Sequence, residues 1–211
     1  MNEESACRWR RRKEERPAEI LAAALKIFSS KGFYLTKLDV VAKEAGVSKG
    51  TLYIYFDNKE TLFKAVVHEF VVSRIEEAEL QAETYDGSIE KLMQQLVEQW
   101  KCNVLETELS SISKIMIAEA SNFPDLALFY FENVVKRSRL FIEKLIDNGI
   151  NQGEFRECDS EYVARYFLTP LVFSAIWQNS LAPFDESYDI NKYLNINLEI
   201  FLRGIKKDIQ E

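Results

Sequence analysis

Residues 36 to 62 read Thr-Lys-Leu-Asp-Val-Val-Ala-Lys-Glu-Ala-Gly-Val-Ser-Lys-Gly-Thr-Leu-Tyr-Ile-Tyr-Phe-Asp-Asn-Lys-Glu-Thr-Leu. This order admits little except two short helices around a tight turn and the cap of a third. Gly46 can take the left-handed backbone conformation that closes a helix without steric cost. Thr36 and Asp39 have capping-box spacing, which starts a helix just after Thr36. Leu38, Val41, Ala42 and Ala45 then share one face. Val47 fills the elbow, Ser48 caps the second helix, and Leu52 and Phe56 turn inward. Lys49, Gly50, Thr51, Tyr53 and Tyr55 are left outward, side chains that bond phosphates and base edges around a glycine that permits close approach. A helix-turn-helix reads double-stranded DNA with such a surface. Lys49, Thr51 and Tyr53 are expected to face bases and nearby backbone, with Ser48 beside them. Thr36, Lys37, Tyr55 and Lys59 are expected to hold phosphates, Lys59 aided by its helix N-terminus.

The run Ala45 to Phe56, followed by Asn58-Lys59-Glu60, resembles the DNA-binding head of the TetR family of one-component regulators. Upstream, Ile20, Ala23, Ala24, Phe28, Gly32 and Phe33 match that family's first helix, so the likeness covers about residues 16 to 64. Lys37 departs from the hydroxyl residue common there and would exchange a neutral phosphate contact for a charged one. The resemblance implies an all-α protein with a three-helix head and a larger helical body. It also implies a homodimer through the last two helices and a ligand cavity between the fourth and eighth.

Net charge is −7 over 211 residues, which by itself argues against DNA. The distribution reverses that: residues 1–60 carry 12 Lys/Arg against 9 Asp/Glu, whereas residues 61–211 carry 15 against 25. A basic head on an acidic body keeps phosphate affinity local. Arg8-Trp9-Arg10-Arg11-Arg12-Lys13 reads as a flexible basic arm, reaching into a minor groove or adding non-specific attraction only. Neither role explains Trp9. The division expected is an arm over 1–15, a head over 16–62 and a body over 63–211.

Cys7, Cys102 and Cys158 lie far apart, with neither disulfide nor metal-ligand spacing, as suits a reducing cytoplasm. No 18-residue apolar run or signal peptide is visible, so no membrane role is expected. His68 has no Ser or Cys partner at a recognisable spacing, and Glu76-Glu77-Ala78-Glu79 reads as a solvated face. No catalytic residue, metal site or cofactor is expected.

With only 7 glycines and 4 prolines, the body reads as helices on short loops. A fourth helix runs from the Asn58 cap toward Glu79 and a fifth, capped by Ser88, carries Leu92, Leu96 and Trp100. A sixth covers about 109–120. A seventh starts at Pro124 and is ended by Gly149. An eighth spans about 160–181 with Pro170 inside as a kink, and a ninth about 190–207.

Met93, Leu96, Trp100, Met116, Phe129, Phe167 and Trp177 are candidates for a ligand-lining set, with Gln99, Asn103, Glu119 and Gln178 as orienting polar groups. Their chemistry favours a hydrophobic or amphipathic small molecule. Tyr166 and Phe173 on the eighth helix, with Leu194, Leu198 and Phe201 on the ninth, are candidates for a dimer contact. Two functions fit: a repressor released from a palindromic operator by a small molecule, or a DNA-binding protein whose body recruits a protein partner. A buried cavity favours the first and a solid body with an exposed apolar patch the second.

Overall fold

The computed structural model describes residues 3–207, with side chains from Arg16 onward. Nine α-helices are present among the described residues. The first three are α1 (Glu3–Leu35), α2 (Leu38–Glu44) and α3 (Lys49–Tyr55). α4 covers 59–84, as Lys59–Val67, a π turn His68–Val72 and Ser73–Thr84. α5 covers 89–105 and ends in a π turn, Lys101–Leu105. α6 is Ser110–Glu119. α7 covers 124–151 with a π turn at Phe131–Val135. α8 (Ser160–Gln178) and α9 (Ile190–Ile205) complete the chain, separated by one 3-10 turn, Ala182–Phe184. The backbone of 8–13 lies within α1, where the sequence suggested a loose arm; the side chains there, Trp9 included, lie outside the described residues.

Local chemistry sets most of these boundaries. Ser48, Asn58 and Ser88 each accept a backbone N–H three residues on, at 3.0, 2.8 and 3.3 Å, and so start α3, α4 and α5. Asp159 and Asp189 do the same for α8 and α9. Two expectations fail. Thr36 does not cap α2: Lys37 holds that position without a side-chain bond, and the Thr36 hydroxyl instead donates to the Gly32 carbonyl at 2.6 Å. Gly32, at φ 74°, breaks α1 and exposes that carbonyl. Nor does Gly149 end α7, which continues to Asn151 and closes through Gly153 at φ 75°. Gly149 is needed for space, because a Cβ there would lie 2.2 Å from the Phe155 ring.

Two apolar cores result. The first joins Ile20, Phe28, Phe33, Leu52, Leu62 and Phe63 of α1, α3 and α4 to Ile112, Met116 and Leu126 of α6 and α7. Phe28, Phe33 and Phe63 meet at centroid distances of 5.0 to 5.8 Å, and Phe123 packs edge-on to Phe33 at 4.8 Å. Head and body are therefore welded by buried aromatic area, which is worth about 0.5–1.5 kcal/mol per ring pair beyond burial. The second core gathers Leu92, Met93, Ile146, Phe155, Phe167, Leu194 and Phe201 from α5, α7, α8, α9 and the loop before α8. Arg137 of α7 fastens the far half of α4, bonding Glu79 at 2.6 and 3.0 Å and Glu76 at 3.0 Å.

Candidate DNA-reading head and effector cavity

The turn between α2 and α3 is closed by Val47 N–H donating to Ala42 O at 2.9 Å, with Gly46 at φ 66°. This places Lys49, Gly50, Tyr53 and Ile54 on the open side of α3. Thr51 is half-buried and shares a 2.8 Å hydroxyl contact with Ser48. Tyr55 is half-buried beside Phe56, 6.5 Å between ring centroids. The Lys49 ammonium lies 2.8 Å from Asp39 of α2, whose hydrogen bond and charge raise its pKa. Both partners are solvent-exposed, so the pair costs little to open.

Two expected phosphate contacts are corrected. Thr36 is 3% exposed, and both its hydroxyl and its N–H are spent on the turn after Gly32. Lys59 turns inward: its ammonium donates to Phe33 O at 2.8 Å and Tyr34 O at 2.9 Å, above the Phe33 ring at 4.5 Å. Partial burial pushes its pKa down, against the raising influence of Glu119 and then Glu60. Lys59 thus braces α4 against the end of α1, satisfying carbonyls left over where Gly32 breaks the helix. Lys37 remains exposed at the start of α2.

Sequence reasoning missed the partner of this brace. Glu119, the last residue of α6, accepts the Tyr34 N–H at 3.2 Å and the Asn122 side-chain amide at 3.1 Å. The sequence suggests a ligand-orienting group there; the carboxylate instead ties the body to the head.

The body encloses a cavity of about 660 Å³ between α4, α5, α6, α7 and α8. Leu96, Trp100, Met116 and Phe167 line it, with Gln99 and Asn103. Met93 does not, being fully buried in the second core. Phe129 sits outside the wall, with the Lys64 ammonium 5.6 Å from its ring. Trp177 is taken up by a ladder of rings, 5.7 Å from Phe173 and 5.4 Å from Tyr188. Gln178 donates to Leu105 O at 3.0 Å and is spent on closing α5. All three π turns supply wall residues: Val71 from the first, Asn103 and Val104 from the second, Phe131, Val134 and Val135 from the third. Ser113 and Tyr130, which the sequence did not single out, meet across the cavity wall at 3.3 Å.

On α8, Tyr166 and Phe173 are exposed, with Tyr162 on the same face. On α9 the expectation is corrected: Leu194 and Phe201 are 1% and 5% exposed, Phe201 resting 4.9 Å from Phe167 in its own subunit. Leu198 is half-buried in that core as well. Ile196 and Ile200 occupy the outward face instead.

Comparison with known proteins meets this geometry at both ends. Residues 20–66 match the family described as bacterial regulatory proteins of the tetR family, and residues 91–203 the C-terminal domain of AefR-like transcriptional repressors. The HTH-type transcriptional regulator YfiR of Bacillus subtilis is 30% identical over 85% of this chain and 86% of its own length. The fatty acid metabolism regulator protein of the same organism is 24% identical, covering 92% of this chain and 98% of that protein. The crystal structure of FadR from Bacillus subtilis in complex with stearoyl-CoA shares the fold with a TM-score of 0.73, at 20% identity over 89% of this chain and 98% of that one. These relatives are transcriptional regulators, not enzymes. No helix among the described residues is long and apolar enough to cross a membrane. A helix-turn-helix head welded to a hollow helical body, matched at both ends, makes this chain a DNA-binding transcriptional regulator of the TetR family.

Proposed function

We propose that this regulator is a cytoplasmic repressor that binds a palindromic operator as a homodimer and is released when a hydrophobic or amphipathic small molecule enters its cavity. The observation that carries the reading is the double duty of α6: Ile112, Ser113 and Met116 line the 660 Å³ cavity, and Glu119 at its end holds the head at Tyr34. A ligand that displaces α6 thereby pulls on the joint between α1 and α4, where Lys59 is braced. Two reading helices docked in successive major grooves must keep a separation near 34 Å, so a small rotation of each head breaks simultaneous docking. The coupling costs about 1–3 kcal/mol of operator affinity, and operator-bound protein must hold the ligand weaker by the same factor. The apolar faces of α8 and α9, carrying Tyr166, Phe173, Ile196 and Ile200, supply the dimer contact. The stearoyl-CoA found in FadR supports an apolar cargo for a body of this shape. The cavity also weighs against a body that only recruits a protein partner.

Selection of bound duplexes from random DNA by the purified full chain tests this reading. A palindrome with half-sites in successive major grooves is expected. Enrichment of a single unrepeated half-site would refute dimeric operator recognition, and no enrichment at all would refute the operator.

A further inference from the structure

We infer that the cavity selects an apolar ligand carrying an uncharged hydroxyl or carbonyl group, held by the Ser113–Tyr130 hydroxyl pair. The inference rests on the cavity being an effector site and goes on to the chemistry of what fills it.

The charge inventory of the wall comes first. The two charged residues lining the cavity, Arg74 and Glu77, are a turn apart on α4 and pair with each other at 2.7 Å. Their side chains keep 46% and 62% of their surface in solvent, so the pair sits at the rim. Neither supplies a counter-charge deeper in. A carboxylate or ammonium drawn into this wall would lose its hydration with no opposite charge to replace it, and such burial is strongly disfavoured.

The polar groups further along are neutral, and two of them are already joined. Ser113 Oγ and Tyr130 Oη lie 3.3 Å apart, from α6 and α7. In a hydroxyl pair one O–H is used between the partners and the other is left over, with spare lone pairs on both oxygens. That leaves one donor and several acceptor positions near Met116 and Ala127, on the side of the wall away from the amides of Gln81, Gln99 and Asn103 on α4 and α5. A ligand hydroxyl uses both kinds, and an ester, ketone or thioester carbonyl uses the donor. Burial pushes the Tyr130 phenol above its ordinary value, with the Ser113 bond opposing, so it stays a neutral donor at physiological pH. An acyl chain whose charged headgroup remains at the mouth meets the same requirement through its carbonyl. The shared chemistry is thus an apolar chain that carries a neutral oxygen into the cavity.

The test uses the full chain and probes of equal length. N-phenyl-1-naphthylamine, a neutral fluorophore, reports on the cavity, and 1-decanol, methyl decanoate, decanoate and decyltrimethylammonium compete for it at pH 7.5. Decanol and the ester are expected to displace the fluorophore at least about tenfold more strongly than either ion. Tyr130→Phe and Ser113→Ala should each weaken decanol by about fivefold relative to the fluorophore bound by the same variant, the loss of roughly one hydrogen bond. Decanoate binding as tightly as decanol overturns the inference, as does decanol affinity that neither variant alters. Uptake of no probe at all, the fluorophore included, overturns the cavity reading itself.

Discussion

Glu119 Oε1 accepts the backbone N–H of Tyr34 across 3.2 Å, joining two residues 85 positions apart at the meeting of body and head. On one side lies the wall of a cavity, on the other the break in α1 at Gly32. Glu119→Ala should cost only about 0.5–1.5 kcal/mol of stability, the net worth of a hydrogen bond. Its larger effect should be on coupling: the selected duplex is still bound, but 1-decanol no longer lowers its affinity. Fluorescence anisotropy of the duplex with and without decanol measures both quantities.

Lys59 donates to the carbonyls of Phe33 and Tyr34, so its ammonium is engaged within the head. Lys59→Ala is therefore expected to destabilise the fold by about 0.5–1.5 kcal/mol, through the loss of a charged donor to one half-buried and one exposed carbonyl. The salt slope of DNA binding should stay as in the parent. A slope lower by about one would restore Lys59 to the phosphate-binding set.

Lys49 and Asp39 make an exposed pair at the mouth of the reading surface. Lys49→Ala should reduce the salt slope by about one. Asp39→Asn should do the reverse of weakening, raising affinity for all sequences alike, because it releases Lys49 and removes an exposed carboxylate beside it. Binding isotherms at several salt concentrations, on selected and scrambled duplexes, decide the matter.

On the proposed dimer face, Phe173→Glu and Ile200→Glu should each give a folded monomer by sedimentation, since both side chains are exposed within the subunit. Phe201→Glu should instead fail to fold, because it inserts a carboxylate against Phe167 in the second core. Folded dimer from all three would move the interface elsewhere.

Gly149 has no room for a methyl group, with the Phe155 ring 2.2 Å from where it would stand. Gly149→Ala is expected to lower stability in urea by about 1–3 kcal/mol, the usual cost of overpacking. Phe155→Leu introduced alongside should recover part of that loss.

What the sequence disclosed follows the range of the interactions concerned. The caps at Ser48, Asn58 and Ser88 close over three residues, and each was legible. So was the turn at Gly46, which is local. The role of Lys59 is not legible locally because its partners, the carbonyls of Phe33 and Tyr34, lie 26 and 25 residues upstream and are accessible only because Gly32 breaks the helix. On α9, apolar residues occupy two faces, and periodicity alone does not say which face belongs to the subunit's own core. Leu194 and Phe201 went inward, Ile196 and Ile200 outward. Met93 and Trp177 have the chemistry of a cavity wall, yet the second core takes Met93 and the rings of Phe173 and Tyr188 take Trp177.

The π turns at His68–Val72, Lys101–Leu105 and Phe131–Val135 each hold one residue more than an α-helical turn would need. Such a turn absorbs an inserted residue locally, so the helix faces before and after it keep their bearings. For a lineage of regulators these are tolerant seams: a single codon lost there returns the turn to α-helix, alters the lining of the cavity and leaves the head, the Arg137 clamp and the proposed dimer face in register. The cavity wall can therefore change by deletion at these turns without rebuilding the helix-turn-helix.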